Sequence, residues 1–210
     1  MRQIISSLRT PFLMTLLFIL ICGVCYPLFV TGISQIFFAK QANGSLIVEN
    51  NQVIGSKLIG QEFTAPYYLQ SRPSAVNYNV YSLEDKSTGK YGGVSSGSTN
   101  FGPSRQELLT RVKEDKKVLL RKHPTINANR LPNDLLTASA SGLDPDISYE
   151  SALIQLPEIA VASGISEPNL RQFINQETTD KWLHIFGERR VNVLGVNYLI
   201  YQEMIEKDNG

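Results

Sequence analysis

Gly93-Val94-Ser95-Ser96-Gly97 has the G-x-S-x-G spacing of a nucleophile elbow, and Asp144 or Asp180 followed by His184 completes the chain order of an α/β-hydrolase triad. The chemistry would be acyl transfer, with Ser95 attacking and His184 taking its proton. Such an elbow needs a strand before the serine and a helix straight after it. Here Lys90-Tyr91-Gly92-Gly93 precedes it and more Gly and Ser follow, so a membrane-anchored serine hydrolase using Ser95 stands as the second reading. Ser87-Thr88-Gly89-Lys90 has S-x-x-K spacing inside the same polar stretch. The run Ser95 to Gly102 could present backbone N–H groups to a phosphate, which makes Ser96, Gly97, Ser98 and Asn100 the cofactor-binding candidates. An ordinary turn is the commoner use of such residues.

Other chemistry is sparse. Cys22 and Cys25 form a C-x-x-C inside a long apolar run, where thiols act as small apolar side chains. The rest of the chain has no cysteine, hence no disulfide and no thiolate metal site. His123 and His184 are too far apart in sequence to suggest zinc ligands. There is no G-x-x-x-x-G-K-[ST] phosphate loop and no Asp-Lys-Thr-Gly-Thr phosphorylation sequence. No catalytic residue, metal or cofactor of its own is therefore expected. Lys and Arg total 20 against 19 Asp and Glu, a balance that disfavours a nucleic-acid partner.

The charges are unevenly placed, and that decides the class. No charged residue lies between Arg9 and Lys40, and Phe12 to Phe38 exceeds the ~20 apolar residues that span a bilayer. The run is longer than a signal-peptide h-region, only Ala39 and Ala42 resemble cleavage positions, and Ile21 and Val24 before the cysteines are not small. A retained anchor is expected. Arg2 and Arg9 precede the span without an acid, while Glu49 dilutes Lys40 and Lys57 after it, so the N-terminus is expected in the cytoplasm. This divides the chain into a short cytoplasmic segment (1–11), a transmembrane helix (12–34) and an extracytoplasmic domain (35–210). Gly23 and Gly32 are candidates for close helix packing within the bilayer.

Beyond the span, Ser45 to Val48 and Gln52 to Ile54 predict a hairpin around Glu49-Asn50-Asn51. Tyr78 to Pro103 reads as a long irregular loop. Ser104 and Glu107 predict a capping box for a helix with Leu108, Leu109, Val112 and Leu119 on one face. Lys113, Lys116, Lys117, Arg121 and Lys122 make its far side basic, a solvated face or a contact for acidic headgroups. Ile126 to Leu131 is polar linker, and Asp134 to Ser141 a buried segment ending at Gly142. Ser148 and Gly164 bound a further helix that Pro157 should kink or split. Ser166-Glu167-Pro168 opens another, with Leu170, Phe173 and Ile174 inward, and Asn192 to Glu206 is the last. The fold class is an α+β extracytoplasmic domain anchored by a single N-terminal transmembrane helix.

Ala42 to Ile47 (ANGSLI), Gly55 to Phe63 (GSKLIGQEF), Arg72 to Ala75 (RPSA), Tyr78-Asn79, Asn100 to Ser104 (NFGPS), Asp134 to Ser148 (DLLTASASGLDPDIS) and Gly187 to Asn197 (GERRVNVLGVN) occur in this order after the single span. In these stretches the chain resembles the KdpC family, the C subunits of bacterial Kdp potassium-transporting P-type ATPases. The resemblance implies a single-pass protein of the cell inner membrane. It implies assembly with a channel-like subunit that binds and passes potassium and with a P-type subunit that hydrolyses ATP. ATP and potassium would be handled by that complex, with membrane lipid as a further partner. It also implies a catalytic-chaperone role that raises the pump's affinity for ATP, the Gly/Ser loop having been likened to an ABC-transporter signature. The charge bias opposes direct contact, because ATP is cytoplasmic and the loop is expected on the other side.

The chain departs from the family pattern in places. Gly97-Ser98-Thr99-Asn100 stands for the usual Ser-Gly-Gly-Ser-Asn with one glycine displaced, and Tyr81 to Val94 is longer than usual. Pro157-Glu158-Ile159-Ala160 replaces Pro-Arg-Val-Ala, and Asp146 stands where histidine is frequent. Within the matching stretches, Arg72, Asp134, Asp144, Asn192 and Asn197 are candidates for structural or partner-contacting roles. Asp144 is expected to turn the chain before Pro145, and Arg72 to pair with a carboxylate inside the domain, unless one of them meets a partner subunit.

Overall fold

The uncharged run forms one long helix, within which the Thr15 hydroxyl bonds back to the Pro11 carbonyl. The structure is a computed structural model and describes residues 2–89, 92–124 and 126–209, so Lys90 of the S-x-x-K spacing lies outside the described residues. The chain divides into two units, residues 1–46 and 47–210. The first comprises α1 (Arg2–Phe18), a π-helical stretch (Ile19–Cys25), α2 (Tyr26–Phe37) and the single turn α3 (Ala39–Ala42). Leu8–Phe37 has 30 residues, a mean hydropathy of 2.5 and no buried part, so it is long and apolar enough to cross a membrane. At the α-helical rise it would measure ~45 Å against a hydrocarbon core of ~30 Å. The helix extends beyond residues 12–34 at both ends. The wide π turns end just before Pro27, which has no N–H to donate to Gly23 four residues back. Cys22, Gly23 and Cys25 all lie in this stretch, and both thiols are free and exposed.

The second unit opens on the hairpin β1 (Leu46–Glu49) and β2 (Gln52–Ser56). Asn50 and Asn51 sit at φ +48° and +62°, the two left-handed positions that a two-residue hairpin turn requires. The 78–103 stretch is largely irregular but contains α4 (Leu83–Ser87). Ser82 and Asp85 close a reciprocal capping box there, a Ser-x-x-Asp signal that a search for Glu or Gln at the third position passes over. α5 (Gln106–Lys122) does not use the expected Ser104–Glu107 box. Arg105 N–H donates to the Gly102 carbonyl, so Ser104 is held in a turn and the helix starts two residues later.

β3 (Asp146–Ser148) leads into α6 (Tyr149–Ser163), whose first turn is capped by Ser148 and whose end is Gly164 at φ +68°. Pro157 does not split α6, which runs unbroken through it. The proline lies on the exposed face, where its ring meets solvent rather than the core. α7 (Glu167–Gln176) is capped by Ser166. β4 (Thr178–Thr179) and β5 (Arg190–Asn192) follow, and α8 (Val193–Asn209) ends the chain. β5 is the centre of an antiparallel sheet ordered β3-β5-β4, with Ile147 opposite Val191. The α+β reading therefore holds. Leu69, Ile147, Leu156, Leu170, Val191 and Ile200 are among the residues of the main core, and Leu119, Leu135 and Leu136 form a smaller one under α5.

Candidate functional site

The sheet brings residues from five of the distinctive stretches into one polar network. Asp144 Oδ2 accepts from Arg72 Nη1 at 2.8 Å, and Asp144 Oδ1 accepts from the Asp146 N–H at 3.1 Å, closing a turn across Pro145. The Tyr78 hydroxyl donates to the Arg72 carbonyl, and burial pushes that phenol up to about 12. Gly60 N–H donates to the Leu143 carbonyl at 2.8 Å. A Cβ at Gly60 would fall inside contact distance of the Asp144 carbonyl oxygen, so only glycine permits the approach.

One strand further on, Asp146 Oδ2 pairs with Arg190 Nε at 2.9 Å, and its Oδ1 accepts from Asn192 Nδ2 at 3.2 Å. Burial holds the Asp146 carboxyl above the usual carboxylate range, although Asn192 and Arg190 both oppose the shift. Asn192 Nδ2 also donates to the Lys57 carbonyl at 2.8 Å, and its Oδ1 accepts from Gly195 N–H at 2.9 Å in the first turn of α8. Lys57 Nζ reaches both oxygens of Glu177 at 2.8 and 2.6 Å. Lys57, Asp146, Glu177 and Arg190 thus line a polar groove of about 330 Å³.

Asp134 accepts from the Ser148 N–H at 2.7 Å and from the Ser151 hydroxyl at 2.6 Å, bracing the start of α6. Two buried side-chain amides hold the segment at Leu69 and Gln70. Asn197 Oδ1 accepts from Leu69 N–H at 2.8 Å and its Nδ2 donates to the Leu69 carbonyl at 3.0 Å. Gln155 Oε1 accepts from Gln70 N–H at 2.8 Å. Sequence reading did not find Gln155, whose polar side chain on an apolar helix face carries no local signal of its partner.

The Gly/Ser loop packs against the Ser139–Gly142 segment. Gly97 N–H and the Ser96 hydroxyl both donate to the Ser141 carbonyl, at 2.7 and 3.0 Å. Ser95 N–H donates to Asn79 Oδ1 at 3.0 Å, and Asn100 N–H to the Ser98 hydroxyl at 3.4 Å. The Ser95 and Gly97 amides thus donate to acceptors of the neighbouring Asn79 and Ser141, whereas Ser98, Thr99 and Asn100 line a cavity of about 320 Å³ together with Arg111. The hydrolase constellation is not assembled either: Ser95 Oγ faces Asn79, Asp144 pairs with Arg72 and Asp180 pairs with Arg189. Among the described residues no strand directly precedes Ser95 and no helix directly follows it. Among the described residues no group of three or more His, Cys, Asp or Glu could hold a metal ion.

Two features escaped the sequence reading. His123 Nδ1 forms a buried ion-pair contact with Glu158, the position of the charge reversal, beside a cleft of about 670 Å³. His123 follows the end of α5 and Glu158 lies on α6, so no local pattern joins them. The other is the β4–β5 connection, where Trp182-Leu183-His184-Ile185-Phe186 closes a hairpin with four large apolar side chains in solvent. Four large apolar residues flanking His184 between Lys181 and Gly187 were its legible signal.

A family model described as KdpC, the K+-transporting ATPase c chain, matches residues 8–202. A protein of Clostridium kluyveri named potassium-transporting ATPase KdpC subunit is 48% identical, the alignment covering 97% of each chain. One of the same name from Clostridioides difficile is 47% identical over 91% of this chain and 95% of its own. Another from Rhodopseudomonas palustris is 42% identical over 92% of this chain and 95% of its own.

Proposed function

This chain belongs to the KdpC family of K+-transporting ATPase c chains, and from that premise we propose that it is a membrane-anchored accessory subunit that stabilises the potassium import complex and supports ATP hydrolysis by a partner. The observation that carries this reading is that the distinctive polar residues find partners within the chain. Arg72, Asp134, Asp144, Asn192 and Asn197 each have partners inside the domain, which makes them parts of a rigid body rather than reacting groups. Its partners are an ATP-hydrolysing P-type subunit and a channel-like potassium-binding subunit. Residues 12–34, within the apolar helix Leu8–Phe37, serve as the single-pass anchor, residues 1–11 lie in the cytoplasm, and the domain lies outside the inner membrane. The chain raises the effectiveness of the ATPase subunit through assembly, and does not hold ATP in its Gly/Ser loop, because Ser95 and Gly97 N–H already donate internally.

Two measurements test this. Purified complex with and without the chain should differ in recovery of the two larger subunits and in potassium-dependent ATPase activity. Equal yield and equal activity would overturn the accessory role. For orientation, Val94 is exposed, so Val94→Cys in a Cys22→Ala/Cys25→Ala background should label with an impermeant thiol reagent in intact spheroplasts. Labelling only after lysis would reverse the topology and return the loop to the compartment that holds ATP.

A further inference from the structure

The β4–β5 connection presents an apolar tip of unusual exposure. Trp182, Leu183, Ile185 and Phe186 are 68%, 63%, 74% and 58% exposed, four large apolar side chains within five consecutive residues. The tip is ordered by its own backbone. Trp182 N–H donates to the Phe186 carbonyl at 2.8 Å, and Phe186 N–H returns to the Trp182 carbonyl at 2.9 Å. The two rings lie 5.8 Å apart on one side of the hairpin. The stem is fixed by the Asp180–Arg189 ion pair at 3.0 Å and by the Arg189 guanidinium 3.7 Å from the Tyr149 ring centroid.

The turn itself is a poor choice for stability. Leu183 and His184 occupy successive left-handed positions, at φ +52° and +60°. Asn-Gly is the sequence such a turn prefers, and a leucine there is strained. The strain places a leucine at the apex and gains it no cover within the domain. Residues held in such conformations cluster at functional positions.

We propose that this tip inserts into the interfacial region of the lipid bilayer, as a second membrane contact of the chain besides its helix. The proposal rests on the anchor reading given above. Three observations select lipid. Only residues 38–45 separate α2 from β1, so the domain is tethered to the anchor by a linker of at most ~30 Å even at full extension. Tryptophan and phenylalanine beside long aliphatics are the side chains that settle at the membrane–water boundary. The charges around the tip nearly cancel, with Asp180 paired to Arg189 and Arg190 to Asp146, leaving Lys181 and Glu188 to oppose each other. Apolar contact rather than headgroup charge then drives insertion, and added salt should change it little.

Trp182 is the single tryptophan of the chain, so its fluorescence reports this tip alone. The full chain is reconstituted into phosphatidylcholine vesicles, with flotation as the check on the anchor. Failure to float would refute the anchor reading itself. In floating samples, Trp182 emission should be quenched by lipids brominated on the upper acyl chain and protected from iodide. Leu183→Asn should fold, because asparagine tolerates the left-handed region, yet cut the brominated-lipid quenching at least twofold without affecting flotation. Undiminished iodide quenching in floating vesicles would overturn the tip proposal while leaving the anchor intact. So would protection that arises only when the larger subunits are added, since the tip would then be a protein contact.

Discussion

Arg72 Nη1 lies 2.8 Å from Asp144 Oδ2, joining two stretches that are 72 residues apart in the chain. The same carboxylate closes the turn over Pro145, so one side chain sets both a local bend and a long-range tie. Both partners retain some solvent contact, at 25% and 29% exposure, which moderates their coupling. Arg72→Ala is expected to destabilise the chain by about 1 kcal/mol, and a double-mutant cycle with Asp144→Asn should return a coupling of about that size. Thermal melting of the detergent-solubilised chain checks this, with an expected fall of ~2–4 °C. An unchanged midpoint together with lost ATPase stimulation would instead assign Arg72 to a subunit contact.

Asn197 should matter more. It is fully within the core, and its amide answers both backbone groups of Leu69. Asn197→Leu keeps the volume but orphans a buried donor and a buried acceptor, at about 1–3 kcal/mol each. A midpoint within 2 °C or so of the unsubstituted chain would show that Leu69 finds other partners.

Two glycines are close-approach positions of different kinds. At Gly60 the obstacle to a Cβ is the Asp144 backbone, whereas at Gly195 it is the Glu177 side chain. Backbone cannot step aside, but a carboxylate can. Gly60→Ala is therefore expected to lower the melting midpoint more than Gly195→Ala, and Gly195→Ala should make Lys57→Met nearly silent by already displacing Glu177 from Lys57. The reverse order in a melting series would contradict the packing argument.

The half-buried Asp146 carboxyl makes an opposite contribution from most acids. Its pKa is raised in the folded chain, so its protonated form favours folding. That contribution is fully present below the unfolded value near 3.8 and is lost as pH rises through the higher folded value. Asp146→Asn, which keeps an oxygen for Asn192, should therefore show its most favourable midpoint relative to the unsubstituted chain at neutral pH. The difference should shrink as pH falls toward 4. A difference that grows in acid would mean that the Arg190 pair outweighs burial.

In the anchor, Gly23 lies in the π-helical stretch and Gly32 in α2, where a Cβ would meet open space. Gly23→Leu should leave membrane insertion intact and reduce co-purification of the larger subunits, since small residues let helices approach closely in lipid. Full recovery of the complex on affinity purification would remove Gly23 from the interface.

Sequence alone determined the features whose causes are local. The uncharged run, the Asn50-Asn51 turn, the Ser148 and Ser166 caps and the Gly164 stop depend on side chains acting within a few residues, and the fold follows them. Tertiary structure decided where a local signal met a distant demand. α6 continues through Pro157, despite the backbone bond the proline cannot make, with its opposite face held in the core by Ala152, Leu156 and Ile159. It also chose the partners of the polar residues. Nothing near Arg72 names Asp144, nothing near Asn197 names Leu69, and nothing near Lys57 names Glu177, at separations of 72, 128 and 120 residues. A buried donor must find an acceptor somewhere, but which one depends on how the sheet and helices pack.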